Sequence, residues 1–136
     1  GGTIKLISND SGSTTKTYSE APLADGDIIG VAVDVDNGAI YYSKNGTFMG
    51  SGNPASGASK TNAGATWTPA TYSGGWVPTI AALGGSVPIV TMNFGQEGTF
   101  SGTVSAGGNS DGNGIGNFKY SVPSGYLALC TSNLGS

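Results

Sequence analysis

Apolar and polar positions alternate most clearly between Ile28 and Val35. Ile29, Val31, Val33 and Val35 fall on one face; Ile28, Gly30, Ala32 and Asp34 fall on the other. A two-residue period rich in β-branched side chains predicts a strand in a packed sheet. Asp36-Asn37-Gly38 follows, and these residues reach positive φ cheaply, as a tight hairpin requires. The return strand runs through Ala39-Ile40-Tyr41-Tyr42-Ser43, and Lys44-Asn45-Gly46 supplies a second turn. Two Asn-Gly turns bounding a short strand predict a meander. Tyr41 and Tyr42 face opposite ways, one toward the core and one toward the surface.

Elsewhere the pattern is more broken. Thr3 to Ile7 reads as a short strand, followed by a polar stretch to about Lys16 and a turn at Asp25-Gly26. Residues 50 to 76 form a long polar segment that carries Trp67, Tyr72 and Trp76. Trp76 to Leu83 predicts a strand, Gly84-Gly85 a turn, and Ile89 to Phe94 a further strand with Val90, Met92 and Phe94 on one face. A Gly/Asn/Ser loop spans about 101 to 117, and Gly125 to Cys130 closes the chain. There is no exact repeat and no amphipathic helix. Short strands separated by turn signals predict an all-β fold, an antiparallel β-sandwich, in one domain over 1–136.

Composition narrows the chemistry. Charged residues make up only 10% of the chain, and Gly alone accounts for 25 positions. Such a chain suits strands and turns and is poor material for long helices. The net charge is −3, and the cations Lys5, Lys16, Lys44, Lys60 and Lys119 are scattered. Phosphate-backbone binding needs clustered cations, so nucleic acid is not an expected partner. No apolar run is long enough to insert in a bilayer as a helix. Cys130 is the single cysteine, which excludes an internal disulfide and reads as a small buried hydrophobe.

The chain has no His, so Ser-His and Cys-His nucleophiles are excluded. Glu20 and Glu97 are the two glutamates, far apart in sequence, and a carboxylate pair for hydrolysis is not expected. Asp34-Val35-Asp36-Asn37-Gly38 reads as hairpin chemistry. Asn109, Asp111 and Asn113 partly match the start of a calcium loop, but its twelfth position is Tyr120 rather than Glu, which leaves them weak calcium candidates. No enzyme activity and no cofactor are expected. Binding remains: Trp67, Tyr72, Trp76 and Tyr41 are the candidate ligand contacts, aromatic rings set among hydroxyl and amide groups.

Four segments, read together, resemble the SPRY family: Gly26-Asp27-Ile28-Ile29-Gly30, Gly38 to Gly46 ending in Lys-Asn-Gly, Trp76-Val77-Pro78-Thr79-Ile80, and Asn93-Phe94-Gly95-Gln96. The tail from Pro123 to Leu134 is similar to the ending of SPRY-like domains in bacteriophage and environmental viral proteins. The resemblance covers about residues 20 to 134. It implies a concanavalin-like jelly-roll sandwich whose first strands are missing from this sequence or supplied in trans by another chain. An open sheet edge of that kind invites pairing with a neighbour.

The resemblance also implies binding through loops at one end of the sandwich. The expected role is a virion component of tail-fibre, adhesin or capsid-decoration type. Its partners would be its own copies, virion neighbours or a cell-surface glycan, in a virion or extracellular setting. The alternative is a peptide- or glycan-recognition module of a larger cellular or secreted protein, with a cytoplasmic location as the alternative setting.

Overall fold

The structure is a computed structural model that describes residues 4–7, 15–18, 23–69, 78, 80 and 89–134. The alternating segment and its return strand form β3 (Ile29–Asp34) and β4 (Ala39–Lys44), paired antiparallel from Ile29 opposite Lys44 to Asp34 opposite Ala39. Asp34 closes the turn between them. Its carboxylate accepts from Asn37 N at 2.9 Å and from Asn37 Nδ2 at 2.8 Å, and its carbonyl accepts from Gly38 N at 2.9 Å.

β5 (Thr47–Phe48) folds back across the Asn45-Gly46 turn, with Ser43 opposite Phe48. β6 (Ala65–Thr66) returns to the other end of the same β4 edge, with Ala39 opposite Thr66. β4 is therefore bonded on both edges, whereas β3 pairs with β4 alone among the described residues. β1 (Ile4–Ile7) and β2 (Thr15–Tyr18) form a separate two-stranded antiparallel sheet. The helical elements given in full by the described residues are two 3-10 segments, Met49–Ser51 and Pro54–Ser59, and the single turn α1 (Thr131–Leu134). The regular structure is thus open antiparallel sheet with little helix.

The alternation in β3 buries its small side. Ala32, Ala39 and Tyr41 form the core cluster, with Phe48, Ala63 and Tyr126 packed against it. Val31 and Val35, on the other face, are 57% and 56% exposed. Small residues leave room for the Tyr41 ring and for the chain that crosses over it. Gly30 sits opposite Ser43 so closely that a side chain at Gly30 would overlap Ser43 Oγ. Met49 is driven inward by the first 3-10 segment and is fully buried, which contributes roughly 1.5–3 kcal/mol.

Three expectations change. The polar stretch before Lys16 ends in a strand, since β2 begins at Thr15. The long polar segment contains β6 and both 3-10 segments. Ile89 to Phe94 is not a strand, because local side chains take up the backbone groups that a ladder would use. Asn93 Oδ1 accepts from Gly95 N at 2.8 Å, Gln96 Oε1 accepts from Phe94 N at 2.6 Å, and Gln96 Nε2 donates to Met92 O at 2.9 Å. Such local bonds compete directly with sheet formation. The strand expected over Trp76 to Leu83 lies outside the described residues, apart from the exposed Pro78 and Ile80.

Candidate interaction surface

The β3–β4 turn, the Pro54–Ser59 segment and Trp67 meet at one end of the four-stranded sheet. Asn53 caps the segment by accepting from Ala55 N at 3.1 Å, and Pro54 occupies the first turn, where its missing N–H costs nothing. Ser56 Oγ accepts from Thr61 N at 2.8 Å and lies 3.3 Å from the buried Tyr41 hydroxyl. Below, Tyr126 Oη donates to Pro54 O at 3.1 Å, tying the C-terminal part of the chain to the same segment. Burial, then the nearby Asp34 charge and Tyr41, push the Tyr126 hydroxyl up to about 12.

Trp67 is half-buried at this end. Its N–H donates to Gly38 O at 2.9 Å, and its carbonyl accepts from Lys60 Nζ at 3.2 Å. Gly38, at φ 75°, is in van der Waals conflict with any side chain it might carry, because Trp67 O and Pro69 press on it. The expected contact residue is therefore also the anchor that clamps the long segment to the hairpin. Lys60 holds a left-handed backbone, φ 48°, at the end of Pro54–Ser59. That conformation brings its ammonium back to Trp67, and nothing in the local sequence pattern signals it. The surface so formed offers an indole, carboxamides at Asn37 and Asn53, the Asp36 carboxylate and the Lys60 ammonium. Side chains of these types are suited to hydrogen bonding and stacking.

Tyr41 does not belong to this surface. It is 1% exposed, and the residue that faces outward is its neighbour Tyr42. Its removal from the contact set follows from the burial of the small side of β3. Tyr72 and Trp76 lie outside the described residues.

Asn109, Asp111 and Asn113 lie at a different place, against the C-terminal segment. Asp111 is buried. Its Oδ1 accepts from Asn113 N and Ile115 N, both at 2.9 Å, and its Oδ2 from Ala128 N and Asn133 Nδ2, both at 2.8 Å. The Ala128 amide leads the set of donors that holds this carboxyl at about 2, against the cost of desolvation. Asn109 Nδ2 meanwhile donates to Lys119 O at 3.0 Å, and Asn113 Nδ2 to Asn133 Oδ1 at 3.1 Å. The three residues work as clamps for backbone and side-chain amides, with both Asp111 oxygens engaged.

Glu97 behaves similarly. Thr99 donates to it through Oγ1 at 2.5 Å and through N at 2.7 Å, and Ser101 N donates at 2.8 Å. These bonds, the Thr99 hydroxyl first, hold its carboxyl below the usual range. A carboxylate held ionised in this way is poorly suited to donate a proton. Glu20 lies outside the described residues.

Cys130 is a free, half-buried thiol beside Asn133. Among the described residues, no helix is long and apolar enough to cross a membrane.

No protein-family model matches this chain, and no curated protein or solved structure matches it either.

Proposed function

We propose that this chain is a non-enzymatic binding and assembly module, built as a SPRY-like antiparallel β-sandwich. In this reading it meets protein or glycan ligands through the loops at the β3–β4 turn, and it serves as a virion component of tail-fibre, adhesin or capsid-decoration type.

The observation that carries the reading is the folding of the long polar segment. Residues 49–66 are not a slack loop. They are fastened at both ends to β4 and held in the middle by Ser56 on Tyr41. Contact groups on a rigid frame lose little entropy on binding, and this is where recognition residues gather. The low charge of the chain and its abundance of Gly, Ser, Thr and Asn fit an exposed surface that binds by hydrogen bonds and stacking.

The test is a glycan-array and peptide-library screen of the full 136-residue chain, repeated with Trp67→Ala. A ligand whose affinity falls about tenfold or more in the variant, with secondary structure retained, supports the reading. A ligand bound equally well by both chains, or no ligand at all, overturns the assignment of this surface.

A further inference from the structure

We infer that the edge of β3 left open among the described residues pairs with β3 of a second copy of this chain, across a two-fold axis through Val31. Asn45 N donates to Ile28 O at 2.8 Å, which fixes the phase of the ladder. In an antiparallel pair, alternate residues turn both backbone groups toward the partner. Gly30, Ala32 and Asp34 therefore face β4, and Ile29, Val31 and Val33 turn their N–H and C=O away from it. The 2.7 Å bond from Gly64 N to Ile40 O agrees, since Ile40 stands opposite Val33 and turns its own groups outward on the far side.

A two-fold axis at Val31 uses all three outward residues. Val31 stands opposite Val31 of the second copy, and Ile29 opposite Val33 of the second copy. Each such pairing exchanges two backbone hydrogen bonds.

Four further observations favour a copy of this chain over another partner. The edge carries none of the usual guards: β3 is Ile-Gly-Val-Ala-Val-Asp, with no Lys, no Pro and a single charge at its end. The two-fold register places Asp34 opposite Ile28 of the second copy, so no like charges oppose one another. On the Val31 face the side chains brought side by side, those of Ile29, Val31 and Val33, are all β-branched and apolar, and such cross-strand pairs stabilise a sheet. Val31 is more than half exposed in the single chain, and this pairing covers it.

The edge is short, so the interface falls at the small end for protein pairs. Association is therefore concentration-dependent. The experiment is sedimentation of the full 136-residue chain over a range of concentrations, combined with amide hydrogen exchange. The expected mass rises from 13.4 kDa toward twice that value. The amides of Ile29, Val31 and Val33 gain protection in step with it.

Val31→Lys should keep the chain monomeric at every concentration. Val90→Lys, an equal change at an exposed valine away from this edge, should dimerise like the parent. Amide protection of Gly30 and Ala32, which bond to β4, reports that each variant is folded. A chain monomeric at all concentrations overturns the inference. So does protection of Val31 that is independent of concentration, which would mean that another segment of the same chain occupies the edge. An assembly that grows past two copies, or dimerisation of Val31→Lys, overturns it as well.

Discussion

Asn45 reaches back across eighteen positions to Asp27: its Nδ2 donates to Asp27 Oδ1 at 2.6 Å, while its own Oδ1 accepts from Ile28 N at 2.9 Å. Lys44 adds an ion pair to Asp27 Oδ2 at 2.9 Å, and Ala24 N donates to the same oxygen at 2.8 Å. The Gly-Asp start of β3 and the Lys-Asn-Gly end of β4 are therefore one bonded unit, which sets the register of the whole hairpin.

This unit gives the protein a predictable response to acid. The Lys44 hydrogen bond, followed by those from Ala24 and Asn45, holds the Asp27 carboxyl at about 2, below its ordinary 3.8. Asp111 is held at about 2 as well. Both folded values lie below the unfolded ones. The stability these groups contribute is complete above about pH 4 and is lost as the pH falls toward 2. Denaturant midpoints should fall over that window, and Asp27→Asn and Asp111→Asn should each flatten part of the fall. A parent midpoint that stays level between about pH 5 and pH 2 would contradict this account.

Gly46 tests how the C-terminal part of the chain is docked. It sits at φ 82°, and an added Cβ would lie 2.7 Å from the Tyr120 ring. Gly46→Ala should cost about 2 kcal/mol or more, from the left-handed backbone and from displacement of the ring. Removing the ring as well, in Gly46→Ala with Tyr120→Ala, should make the two changes less than additive. Full additivity in thermal or urea unfolding would mean that the ring does not rest on the turn.

Tyr126 makes an alkaline prediction of opposite sign. Its folded value near 12 lies above the ordinary 10.0. The neutral phenol is favoured in the fold, so its contribution is complete below about pH 10 and is lost as the pH climbs toward 12. In an ultraviolet titration Tyr126 should ionise late, and Tyr126→Phe should remove its late component. The same substitution leaves Pro54 O without its donor and should cost about 1 kcal/mol.

Gly38→Ala should release the Trp67 clamp. Trp67 O and Pro69 leave no room for a methyl group, and the backbone at φ 75° disfavours it independently. A cost of roughly 2–4 kcal/mol is expected. In a Trp76→Phe background, the emission of Trp67 should shift toward that of a solvated indole. An unchanged spectrum would show that the indole environment does not depend on this contact.

The hairpin was legible in the sequence because alternation and Asn-Gly turns act locally. Which of its faces is buried was not legible. Val31 and Ala32 differ in hydrophobicity in the direction opposite to their burial, and the choice was made by the bulk of Tyr41 and the chain crossing over it. β5 and β6 are two residues each, too short to leave a period. Ile89 to Phe94 showed strand alternation, yet Asn93 and Gln96 took the backbone for themselves.

The candidate surface was half legible. Trp67 stood out as an aromatic in a polar segment, whereas Lys60 joins it only through a left-handed backbone that composition does not announce. Asp111 shows the reverse problem. Asn and Asp spaced by two suit a cation loop and a self-satisfied turn equally well, and only the positions of Ala128 and Asn133 distinguish the two.

The excursion between β5 and β6 departs from one end of the β4 edge and lands on the other. Its closure is enforced by strand pairing at the two feet and by Ser56 on Tyr41 between them, so an addition to the exposed stretch of this span need not disturb the pairing. Each doubling of such a span costs only about 0.6 kcal/mol in closure entropy. Ala58 and Ser59 stand exposed at its crown. A foreign peptide spliced between them would be displayed on a fixed pedestal, with the hairpin register beneath it undisturbed.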